Sequence, residues 1–121
     1  MNLMSDQLEN FSSPIKKEVA QEIQDLDLPL IQKHHVRLLT HCLEIFKNIA
    51  EVNNGEFLND QLIKEWCKSE AKKINDGEFT QLLFDQMKAA AKKLEFHSEK
   101  ISKNILDLDL SDIVNLVCDN Y

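Results

Sequence analysis

The chain has 121 residues, 43% of them hydrophobic and 29% charged, which is enough to bury a core without disulfides or metal. Two Gly and two Pro leave too few turn residues for a multi-stranded β fold. A net charge of −7 opposes the counterion-release binding that nucleic acids and anionic membranes reward, so neither is expected as a partner.

In chain order, Leu3, Met4, Leu8 and Phe11 have helical spacing, but so short a helix is marginal alone. Residues 1–12 therefore read as an arm docked on the body. Ser12-Ser13-Pro14 is a helix start, with Ser13 as N-cap and Pro14 in the first turn, and Ile15, Val19, Ile23 and Leu26 form its buried stripe. Asp27-Leu28-Pro29 restarts the chain, because Pro disfavours helical geometry in the residue before it. The longest helix is expected from Pro29 to about Val52, and Asn53-Asn54-Gly55 closes it in left-handed geometry.

Asn59 or Asp60 caps a third helix bearing Leu62, Ile63, Trp66, Cys67 and Ile74, which ends at Asn75-Asp76-Gly77. A fourth runs from about Glu78 to about Ile101 with Phe79, Leu83, Met87, Ala90, Leu94 and His97 on one face. Leu106, Leu108 and Leu110 alternate with Asp107 and Asp109, but a lone alternation has no partner strand and reads as a linker. Ser111 or Asp109 then caps a last helix that buries Ile113, Val114 and Val117. The expected fold is all-α: one domain over residues 1–121, a bundle of about five helices, two of them long, the central one near residues 29–53.

The central helix is the most regular segment. Ile31, His35, Leu38, Cys42, Ile45, Ile49 and Val52 recur at steps of four and three, the period of a seam packed on other helices. Leu39, Leu43, Phe46 and Ala50 widen that seam into an arc, opposite a narrow polar stripe of Lys33, Arg37, Thr40, Glu44, Lys47 and Glu51. Such a helix is either a mast that the other helices wrap or one side of a subunit contact. Leu39, Leu43 and Phe46, with Trp66 from the third helix, are the interface candidates.

Histidines are the strongest candidates for chemistry, since imidazole titrates near neutrality and ligates metals. His34 and His41 are seven residues apart, about 10 Å along a helix at 1.5 Å per residue, too far for one ion to bridge easily. No metal site or cofactor is therefore expected. His34, His41 and Asn48 follow the border of the apolar arc, His35 falls inside it, and His97 on another helix joins them only if the fold brings it near; these five are the ligand-binding candidates.

No phosphate-binding loop, nucleophile elbow or acid/base pair stands out, so a non-enzyme is favoured. Cys42, Cys67 and Cys118 are odd in number and widely spaced, which suits a reducing compartment, and the first residues lack a basic cluster followed by an apolar run. The cytoplasm is the expected location. The residues read as a protein-interaction or regulatory module, with a protein partner or a second copy docked on an apolar helical face. A helical protein responsive to a small molecule or metal is the alternative.

Overall fold

Among the described residues, apolar positions recurring at steps of three and four wind into five α-helices, and no strand occurs. The structure is a computed structural model and describes residues 16–73 and 75–119. The proposed arm of residues 1–12, the Ser13-Pro14 start, Ile15 and Ile74 lie outside them. The helices are α1 (Lys17–Gln24), α2 (Leu30–Val52), α3 (Asp60–Lys73), α4 (Phe79–Lys100) and α5 (Leu110–Asp119), with a 3₁₀ turn at Ile105–Asp107 before the last.

Helix α2 is the mast: it touches every other helix and the 3₁₀ turn. Its buried residues join those of the other helices in one apolar cluster, with Phe46, Ile23, Ile63, Leu83, Met87, Leu94 and Ile113 among the fully buried side chains. Apolar burial is what holds this arrangement, at about 25 cal/mol per Å² removed from water. Ion pairs such as Lys88 to Asp60, 2.7 Å and solvent-exposed, add at most about 1 kcal/mol each. Helix α1 is tethered to the mast by polar bonds: Lys33 Nζ donates to the Gln24 carbonyl at 2.7 Å, and Arg37 Nη2 to Gln24 Oε1 at 3.3 Å.

Two expectations for α2 need correction. Ile31 and Val52, placed in the buried seam, are 56% and 80% exposed, because both ends of the helix overhang the bundle. Thr40, placed on the water-facing stripe, is buried; its hydroxyl donates to the Val36 carbonyl at 2.7 Å, which removes the desolvation cost of an unpaired group.

The helix ends share one device. Gly55 N donates to Ala50 O at 2.7 Å, Asp76 N to Ala71 O at 3.1 Å, and Lys103 N to Ser98 O at 2.8 Å, each spanning the left-handed turn that closes α2, α3 and α4. The residues in that left-handed position are Asn54, Asn75 and Ser102, at φ between 54° and 55°. Asn, and less readily Ser, stands here where glycine is usual. At the first break Gly55 follows with φ 89°, whereas Gly77 is not left-handed and Asn75 makes the second turn alone.

The starts of α3 and α5 follow their sequence signals, whereas α1 begins at Lys17, after Lys16 in extended geometry with no side-chain cap, later than the Ser13-Pro14 signal placed it. Asn59 Oδ1 accepts from Gln61 N at 2.8 Å, capping α3. At α5 the cap is reciprocal: Asp109 Oδ1 accepts from Asp112 N at 2.9 Å, and Asp112 Oδ2 accepts from Asp109 N at 3.1 Å. Lys103 Nζ lies 2.6 Å from that same Asp112 oxygen. Its ammonium draws the Asp112 carboxyl below its ordinary value, and the carboxylate in turn raises Lys103.

Candidate functional site: a groove between three helices

The expected ligand-binding histidines separate on folding. His41 is buried in the core, His34 is half-buried, and Asn48 faces solvent, so the line they trace along α2 does not converge on one opening. His35 and His97, by contrast, meet at a single cavity of about 540 Å³. Of the interface candidates, Leu43 and Phe46 are buried in the chain's own core, and Leu39, also buried, lies at the floor of the cavity. Trp66 is half-buried and packs against the core from α3.

The cavity is a groove between α2 and α4 with the end of α5 behind it. Helix α2 contributes His35, Leu38 and Leu39; α5 contributes Leu116 and Val117; α4 contributes small residues, Ala89 and Ala90, that let the groove approach its backbone. The i, i+4 and i+7 spacing of residues 89, 93 and 96 sets one more face of α4 along the same opening, where Phe96 stands 73% exposed. An apolar ring held in water above an apolar floor is the kind of surface that association covers.

The electrostatics of the groove run against those of the chain. Lys92, Lys93 and Lys100 edge it, with Asp119 as the one acid among its described lining residues, in a protein of net charge −7. Lys100 is engaged with Asp119 at 3.6 Å; no ion pair holds Lys92 or Lys93 among the described residues. Burial above all, then the charge of Lys93 and the neighbouring His34, holds His35 below the ordinary imidazole value of 6.5. At neutral pH His35 is therefore largely uncharged, and the positive field comes from the lysines.

His97 is 5% exposed, and its Nε2 is buried with no hydrogen-bond partner among the described residues. A polar nitrogen left so is costly, and His34 Nε2 and Glu70 Oε2 are buried in the same way elsewhere among the described residues. Sequence reasoning named His35 and His97 but missed Phe96 and the lysines. The signal available was an aromatic between basic residues on the polar side of α4, which is ordinary for a solvated helix face.

On α3, Lys64 Nζ sits 5.2 Å from the Phe84 ring centroid and Lys73 bonds Glu70 at 3.0 Å, which engages two of the lysines along that helix. No group of three or more His, Cys, Asp or Glu that could hold a metal occurs among the described residues. No described helix is long and apolar enough to cross a membrane.

No curated protein and no solved structure matches the chain. Residues 15–120, which span all five helices and the whole groove, match the family described as NDH complex assembly factor CRR9, and the chain belongs to that family.

Proposed function

We propose that the groove between α2, α4 and α5 is where this protein holds a component of a complex under assembly. The family is one of assembly factors and not of enzymes, which implies protein-complex partners. The observation that carries the reading is Phe96, exposed at the edge of an apolar cleft that the chain's own core leaves open. An assembly factor binds a component and later releases it, and a cleft of this size with a single large exposed ring suits such a contact better than a broad obligate interface.

The test is Phe96→Asp in the source cell, read by the amount of fully assembled NDH complex on native gels. Val52→Asp serves as control: it is equally wet, but lies thirteen residues beyond Leu39 on α2, about 20 Å from the groove at 1.5 Å per residue. Assembly falls with the first substitution and not with the second. Equal assembly with both rules out the groove as the working surface.

A second reading rests on the same cavity. Its volume lies within the range of small-molecule sites, and its lining sets His35, Lys92 and Lys93 beside apolar residues. A thermal-stability screen against metabolites addresses it: a large, specific shift that Phe96→Asp leaves intact favours a ligand site. Self-association through the exposed ends of α2 predicts a native mass that rises with concentration.

A further inference from the structure

We infer that the occupant of the groove is an acidic amphipathic helix of about four turns, belonging to the partner protein. The inference rests on the groove being the partner-binding surface, and it adds the chemical class of what binds there. Length comes first. The lining residues of α4 run from Gln86 to Lys100, fourteen residues at about 1.5 Å each, so the groove is about 21 Å long, the length of a four-turn helix. Along that length α4 is the continuous wall, with α2 contributing only residues 35–39 and α5 residues 116–119, and a further helix can lie against it as helices pack within a bundle, ridges into grooves.

Charge decides which helix. Apolar floor residues Leu38 and Leu39 select an apolar stripe, and Lys92 and Lys93, unengaged in ion pairs among the described residues, border it on the α4 side. A basic helix would meet like charges there; an acidic one gains pairs that cost the groove no existing contact. In a protein of net charge −7 this local inversion favours the approach of a negatively charged helix here over most of the surface.

The experiment uses the full chain and two labelled synthetic peptides of about four turns with identical Leu and Ala positions, one carrying Glu and the other Lys on the flanks. Binding is followed by fluorescence anisotropy at low and moderate salt. The acidic peptide binds at least tenfold tighter, the gap narrows as salt screens it, and the double substitution Lys92→Glu with Lys93→Glu reverses the preference. Phe96→Ala weakens the acidic peptide without changing the sign of the preference.

Equal or tighter binding of the basic peptide, or a preference untouched by the lysine reversal, overturns the inference. A dimer that the acidic peptide dissociates, or affinity that rises when Asp6 and Glu9 of the chain itself are changed to Lys, assigns the groove to another occupant and overturns it as well. The two proposals fail separately. If Phe96→Asp blocks assembly but the peptides show no charge preference, the acidic helix is wrong and the groove stands; if the peptides behave as expected while Phe96→Asp assembles normally, the groove takes acidic helices but is not the assembly surface, and the assignment to the partner falls with it.

Discussion

Phe46 and Phe96 allow the same substitution to be made at opposite extremes of burial. Phe46 is 0% exposed at the middle of α2, and its ring centroid lies 5.9 Å from that of Phe57 at a tilt of 47°. Phe46→Ala removes the transfer energy of a whole ring and leaves a cavity that α2, gripped from all sides, cannot collapse into, so the cost is about 3–5 kcal/mol. For 121 residues the total stability is about 6–18 kcal/mol, so this one change removes a large share of it. Phe57→Ala, made alone and together with Phe46→Ala, isolates the ring pair, with an expected coupling of about 0.5–1.5 kcal/mol.

Urea unfolding followed by helical circular dichroism measures all four species. With a slope of about 1–3 kcal/mol per molar, Phe46→Ala lowers the midpoint by at least about 1 M. Phe96→Ala should stay within about 0.5 kcal/mol of the unsubstituted protein, as exposed positions do. If the two phenylalanines prove equally costly, or Phe46→Ala costs less than about 1 kcal/mol, α2 is not the mast described here.

Other expectations concern single features of the fold. Ser102→Gly should raise stability by roughly 1 kcal/mol, since Ser holds φ 55° where an L side chain is disfavoured; a loss in the same urea assay refutes the account of how α4 ends. Under native conditions a thiol-alkylating reagent read by mass spectrometry should label exposed Cys118 and spare buried Cys42 and Cys67, whose thiols burial pushes up to about 12. Because those two bind their protons more tightly folded than unfolded, they also make stability decline as pH rises from about 9 towards 12. Asp109→Ala should cost about 1 kcal/mol through the lost cap of α5. The Asp112–Lys103 pair contributes opposite edges to a pH profile: a lowered carboxyl adds stability that vanishes as pH falls below 3.8, and a raised ammonium adds stability that vanishes as pH rises above 10.5. Asp112→Asn should flatten both edges, and a profile unchanged by it argues against the pair.

Much of the scaffold was legible because its signals are local. Pro29, Asn59 and Asp109 mark starts through backbone geometry or a side-chain cap, and the four-and-three stepping of α2 is visible without knowing its neighbours. The end of α4 was harder to read, since Ser102 does there what glycine normally advertises. Thr40 misled because a hydroxyl bonded to its own helix is as buriable as an apolar group. The groove was least legible of all. It exists only where α2 crosses α4, and helix crossing is decided by ridges and gaps such as Ala89 and Ala90, not by periodicity within either helix.

The contact of α2 with every other element gives the groove an unusual standing. Its wall is also the axle on which the remaining helices turn, so whatever seats itself against His35 and Leu38 braces the molecule as a whole. A guest there should slow amide exchange far from the point of contact, even in α1, which lines no part of the cleft, by binding only the folded chain.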